Sequence, residues 1–201
     1  MIKTITKYAT NTLVIEKSRF ICELFVIDNE QEAKQLIASV KEKHPKAVHH
    51  CYAYVIKKEF QNIENQSDDG EPSKTAGLPM LDILRYEKLV NVLAVVTRYF
   101  GGTLLGTGGL IRAYSNSVKE ALKETEIKEA HLMSGYKISL DYSWHSIVEY
   151  EIKKAEGIIK DISFVEEVTI TFYISDKTFI EYLQNKTNNS LEIFKLDSIY
   201  L

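Results

Sequence analysis

The sequence predicts an α+β fold in two domains. A nearly unbroken apolar run, LVNVLAVVTRYF (89–100), reads as a central strand buried on both faces. A glycine-rich loop and an amphipathic helix follow it. From residue 135 to the end, alternation and helical spacing succeed one another in the order βαββαβ, which fits a ferredoxin-like sandwich.

Each element carries its own signature. SRFICELFVID (18–28) is the first strand, with Phe20, Cys22, Leu24 and Val26 alternating against more polar neighbours. NEQEAKQLIASVKEKH follows as a helix that Asp28 or Asn29 caps and Pro45 stops. AVHHCYAYVI (47–56) is rich enough in β-branched and aromatic residues for a strand. QNIENQSDDGEPSKTAG (61–77) is polar, broken by Gly70, Pro72 and Gly77, and reads as largely loop. LPMLDILRYEK (78–88) is a short helix with Pro79 in its first turn. The helix after the glycines is expected from about Gly109 to Thr125, with Leu110, Tyr114, Val118 and Leu122 on its apolar stripe.

In the C-terminal part YKISLDY is a strand and SIVEYEIKKAE a helix ended by Gly157. ISFVEEVTITFYIS is a strand to Ser175, or two if VEE marks a turn. DKTFIEYLQNKT is a helix capped by Asp176, and LEIFKLDSIYL a final strand. The boundary falls in KEAHLMSG (128–135), giving domains over 1–130 and 135–201.

Composition narrows the function classes. The chain has 201 residues, 45% hydrophobic and 26% charged, enough to bury a sizeable core. No apolar run approaches the roughly 20 residues that span a bilayer, and the N-terminal stretch does not resemble a signal peptide. Two cysteines, Cys22 and Cys51, sit in strand-like surroundings and read as packed, reduced thiols of a cytoplasmic protein. Net charge is −3, divided as +1 over residues 1–130 and −4 over 131–201, with no basic cluster of the kind that binds phosphate backbones.

The chemistry concentrates in two loops. GGTLLGTGG (101–109) holds five glycines between a buried strand and a helix start, where unpaired amides form an anion site. The spacing matches neither a P-loop nor a dinucleotide fingerprint. Arg98 before the loop and Arg112 after it supply two guanidinium groups for a phosphate or carboxylate. SDDGEPSKTAG (67–77) offers Asp68, Asp69 and Glu71 to a cation or to those arginines, although the residues alone also fit a solvated turn. His49 and Cys51 share one strand face while His50 points to the other, so no thiolate–imidazole pair forms between neighbours. His50 is the histidine expected to face a pocket, with Asp69 or Glu71 as acid–base partners if they converge. No zinc spacing appears, and no metal or cofactor is expected.

Together SRF, HHCYAY, SDDGEPSKTAGLPM and VVTRYFGGTLLGTGGLIRAY, in this order, resemble the YigZ/IMPACT family. The resemblance implies an N-terminal domain of the ribosomal protein S5 domain 2 type. It also implies a C-terminal ferredoxin-like domain similar to the last domain of translocating elongation factors. Eukaryotic relatives regulate translation initiation as binding proteins, so the implied role is a translation-associated regulatory or binding protein, not an enzyme, contacting RNA, ribosome or a protein partner. An enzyme or binder for a small phosphorylated or carboxylate ligand is the alternative. The site residues the resemblance implies are Ser18, Arg19, His50, Asp68, Asp69, Glu71, Thr75, Arg98, Gly101, Gly102, Gly106, Gly109 and Arg112.

Overall fold

The apolar run singled out above forms β6 (Val92–Tyr99), and its residues Val92 to Val96 are wholly buried because helices cover both faces of its sheet. The computed structural model describes residues 1–58 and 61–201. These divide into two compact units, Met1–Ala130 and His131–Leu201.

In the first unit β1 (Lys3–Ile5) and β7 (Ile127–Glu129) pair as a separate antiparallel ribbon. The main sheet combines β2 (Ala9–Ile15), β3 (Ser18–Val26), β4 (His49–Lys57), β5 (Asn62–Ser67) and β6 in the order β2-β3-β6-β4-β5. All its neighbours are antiparallel. Cross-strand register places Phe20, Arg98 and His49 in one row of side chains, Cys22, Val96 and Cys51 in the next, and Leu24, Ala94 and Ala53 in a third. That face carries α2 (Gly77–Tyr86) and α3 (Gly106–Leu122), and its small residues allow the helices to come close. The opposite face carries α1 (Glu30–Lys43), whose Ala33 and Val40 pack against Tyr54, Ile56, Leu93 and Val95. Period-two alternation decides which side chains reach which helices.

β5 is a strand where loop was expected. Its sequence NIENQS has no apolar alternation because it is an edge strand, held by backbone pairing to Tyr52–Lys57 of β4. β1, β2 and β7 also had no counterpart in the sequence reading. The helix after the glycines starts at Gly106, three residues earlier than expected, and ends at Leu122. Of the two capping residues offered for α1, Asn29 serves: its Oδ1 accepts from the Glu32 amide at 2.8 Å, while Glu32 Oε2 accepts from the Asp28 amide at 2.8 Å.

The second unit runs β8 (Leu132–Leu140), a 3-10 turn (Tyr142–Trp144), α4 (His145–Lys154), β9 (Ile158–Phe164), β10 (Val168–Ile174), α5 (Phe179–Lys186) and β11 (Glu192–Tyr200). Its antiparallel sheet has the order β11-β8-β10-β9, the ferredoxin-like arrangement. Residues 165–167 are the turn that divides the long C-terminal apolar stretch into two strands. Alternate residues of β10 (Val168, Ile170, Phe172 and Ile174) are buried against Val148 and Ile152 of α4 and Phe179 and Leu183 of α5. The fold class is therefore α+β.

Replacing Asn29 by Ala leaves the Glu32 amide in the first turn of α1 without its partner. Urea unfolding is expected to report a loss of about 1 kcal/mol.

Candidate functional site: a cleft between the acidic turn and the glycine loop

The acidic turn is held by its own carboxylates. Asp68 Oδ1 accepts from the amides of Ala76 (3.0 Å) and Gly77 (2.8 Å), and its Oδ2 from the Lys74 amide at 2.7 Å. Asp68 thus caps α2 from eight residues upstream. Asp69 Oδ2 accepts from the His50 amide at 2.7 Å and its Oδ1 from Lys41 Nζ at 2.8 Å. Burial pushes the Asp69 carboxyl up, but the Lys41 ammonium and the His50 amide outweigh it and hold the group below its ordinary value. Thr75 donates to the Pro72 carbonyl at 2.6 Å, closing the turn.

Glu71 points inward. Its Oε1 accepts from Arg98 at 2.6 Å and from the Tyr114 hydroxyl at 2.8 Å, and its Oε2 lies 3.8 Å from His49 Nε2. Burial pushes the Tyr114 hydroxyl far up, so the phenol stays protonated and donates. Below it Cys51 donates its thiol to the Asp68 carbonyl, and burial pushes that thiol up to about 12. It is therefore no ready nucleophile. Arg98, only 5% exposed, lies between the rings of Phe20 and Phe100 and reaches the Ser18 hydroxyl at 3.4 Å. Its Nε–H has no hydrogen-bond partner among the described residues.

The glycine loop folds over this pair. Gly101 donates its amide to Ser18 Oγ at 3.1 Å, and a Cβ on it would lie 2.0 Å from the Lys17 backbone. Only glycine permits that approach. Gly102 and Gly106 take positive φ of +88° and +67°, turning the chain back into α3. The start of α3 has no side-chain cap. Between the acidic turn and this loop lies a cleft of about 360 Å³, lined by Val48, His49, Glu71, Pro72, Arg98, Phe100, Leu104, Leu105, Gly106, Thr107 and Leu110.

The structure brings some of the expected residues to this cleft and places others elsewhere. Glu71, Arg98 and Gly106 line it; Ser18, Thr75, Gly101 and Gly102 shape its walls through the contacts above. Asp68 and Asp69 brace the turn. His50 stands on the α1 face of β4, where its Nε2 meets the His44 carbonyl at 3.2 Å, so His49 takes the place expected of His50. Of the two acid–base partners expected for His50, Glu71 does not reach it, since the sheet separates them, whereas Asp69 Oδ2 lies 3.8 Å from His50 Nδ1, away from the cleft. Arg112 is exposed and lines a different concavity with Glu16, Gly109 and Asn116, so the expected clamp of Arg98 with Arg112 is absent. Arg19 is also exposed, and stacks on the Tyr99 ring at 4.4 Å. No cluster of three or more His, Cys, Asp or Glu among the described residues could hold a metal ion.

The sequence reading missed His49, Tyr114, Leu104 and Leu105. Tyr114 lies on the apolar stripe of α3 and was indistinguishable from core. The two leucines did leave a signal, being large apolar residues inside an otherwise bare loop.

Residues 16–122, which include every residue lining the cleft, match the Impact N-terminal domain, and residues 138–190 match a domain of unknown function, DUF1949. The chain belongs to the IMPACT family. IMPACT family member YvyE of Bacillus subtilis is 42% identical over 201 residues, spanning 98% of this chain and 92% of its own. IMPACT family member YigZ of Escherichia coli is 39% identical over 146 residues, 72% of each chain. A crystal structure of a hypothetical protein superposes at a TM-score of 0.67 with 31% identity, covering 98% of this chain and 97% of that one.

Two outcomes test this account of the IMPACT-type domain. Glu71→Ala strands a buried guanidinium and is expected to destabilise the chain by about 3–5 kcal/mol in urea unfolding, whereas Glu71→Leu combined with Arg98→Met recovers much of the loss. Burial also pulls the His50 imidazole below its ordinary 6.5. The unfolded chain then binds that proton more readily, so stability present above the unfolded value is lost as pH falls through it. Thermal midpoints measured from about pH 7.5 to about pH 5.5 should fall less in His50→Gln than in the wild type.

Proposed function

We propose that this chain is a translation-associated regulatory protein that works by binding, with the cleft as its partner site. Family membership supports the translation-associated part, through the regulatory role that the motif resemblance implies. The observation that carries the binding part is the division of labour in the cleft. Its acidic side chains are tied into the scaffold: Asp68 to α2, Asp69 to Lys41 and β4, and Glu71 to Arg98 and Tyr114. Its walls are apolar side chains from Val48, Pro72, Phe100, Leu104, Leu105 and Leu110. Such a surface recognises shape and apolar area.

The alternative, an enzyme or binder acting on a small phosphorylated or carboxylate ligand, has less support. Glu71 already neutralises Arg98, and Arg112 lies away from the cleft, so no uncompensated cation faces a dianion. Among the described residues no helix is long and apolar enough to cross a membrane. The partner we propose is a component of the translation apparatus in the cytoplasm.

The test is co-sedimentation of the purified chain with ribosomes carrying their bound factors. Wild type is expected in the ribosomal pellet. Leu104→Glu, which charges a side chain that already stands in solvent, is expected to weaken that association about ten-fold or more. Arg112→Ala should leave it unchanged. A wild-type chain that stays in the supernatant, or a Leu104→Glu chain that pellets equally, overturns the reading.

A further inference from the structure

We propose that β2 pairs with the same strand of a second copy of this chain, antiparallel about a twofold axis at Thr12, so that two main sheets join into one. This goes beyond the binding reading above and does not rest on it, since none of the residues lining the cleft belongs to β2.

Only half of the hydrogen-bonding capacity of β2 is used. It is an outer strand of its sheet and pairs with β3 alone. Glu16 and Lys17, with φ of +46° and +64°, make the two-residue turn between them and leave Ile15 opposite Ser18. That closing pair exchanges hydrogen bonds, and the alternation of an antiparallel ladder gives the same inward role to Leu13, Asn11 and Ala9. Thr10, Thr12 and Val14 therefore turn their N–H and C=O groups away from β3. Among the described residues no turn or loop backbone takes these groups up. All three side chains are exposed, Val14 at 68%.

Nothing blunts this edge. Sheet edges are ordinarily protected by charge, proline, bulges or extreme shortness, because an open edge is a template for another strand. β5 carries Glu64, which is tied to Arg85. β9 and β11 each carry lysine and aspartate, and each shifts register against its neighbour. The seven residues of β2, ATNTLVI, hold no charge and no proline, and their register with β3 is unbroken. Lys7 and Glu16, the nearest charged residues, fall outside the strand.

The strand is also its own complement. With the axis at Thr12, Thr12 meets Thr12 of the second copy, and Thr10 meets Val14 in both directions. Every outward-turned residue then faces another. An axis at Asn11 or Leu13 would set Val14 or Thr10 beyond the end of the opposite strand. Side chains match as well: Thr12 with Thr12 and Thr10 with Val14 on one side, half-buried Leu13 and Ile15 with Asn11 and Ala9 on the other. An uncharged strand puts no like charges opposite one another when it meets itself.

The test is sedimentation velocity of the full chain over about 1–100 μM, together with diamide cross-linking of cysteine variants. Wild type is expected to sediment as a dimer at the upper concentrations. Thr12→Pro removes an outward N–H and no bond to β3, so it is expected to weaken dimerisation about ten-fold or more while circular dichroism keeps the native signal. Thr12→Lys, which sets like charges across the axis, is expected to do the same. In this register the two Thr12 Cα atoms lie about 5.5 Å apart, within disulfide range, whereas the two Thr10 Cα atoms are offset by about 14 Å along the strand. Thr12→Cys is therefore expected to cross-link into a dimer and Thr10→Cys is not; the native Cys22 and Cys51 are buried and take no part. A wild type that stays monomeric throughout, dimerisation unchanged in a folded Thr12→Pro or Thr12→Lys chain, or Thr10→Cys cross-linking as readily as Thr12→Cys would each overturn the pairing.

Discussion

One buried ion pair fixes the geometry of the first unit. Arg98 sits near the end of the central strand, flanked by β3 and β4, and its backbone has no freedom to follow a wandering partner. Glu71 comes from a turn 27 residues earlier and must come to it. Two charges in a site this dry are tolerable only when matched and hydrogen-bonded, and Tyr114 from α3 supplies the second bond to Glu71. Strand, turn and helix are thereby drawn to one point. The space left between the turn and the loop that leads into α3 is the cleft.

This arrangement explains why residues that look catalytic in a list are structural in the fold. Carboxylates in a turn between a strand and a helix have two tasks before any chemistry: satisfying the helix's first amides and neutralising nearby cations. Asp68 does the first, Asp69 and Glu71 the second. Meanwhile the loop, which had to be glycine-rich to cross above Lys17 and reverse into α3, places Leu104 and Leu105 where they have no core to enter. A backbone requirement and an apolar surface have the same origin.

Much of this was legible in the sequence, for definite reasons. The double-faced burial of β6 follows from a Val-rich run, and the βαββαβ order of the second unit from two clean periodicities. β5 was hidden because an edge strand of polar residues leaves no alternation to read; its identity lies in backbone bonds to β4. The start of α3 was misplaced because glycines at positions 106, 108 and 109 argue against helix, while α3 is held by its long apolar stripe further on. The convergence of the acidic turn and the glycine loop was expected from complementary charge. Which histidine faces the cleft was not, since both faces of β4 are buried and alternation alone does not say which face meets the loops. Arg112 illustrates the remaining gap: Leu110, Ala113 and Tyr114 turn inward on α3, which leaves Arg112 on the exposed side of the helix, and complementary charge alone does not reveal that.

The rows of side chains on the main sheet have one more consequence, for oxidation chemistry. Cys22 and Cys51 flank Val96 from the strands on either side of β6, and both are free thiols. Two strand spacings put their Cα atoms about 9.5 Å apart, beyond the roughly 7 Å that a disulfide can bridge. Joining the two sulfurs would require pulling the middle strand out of the sheet. Sealed under helices and kept apart by a valine, the two thiols do not join to each other in the folded chain.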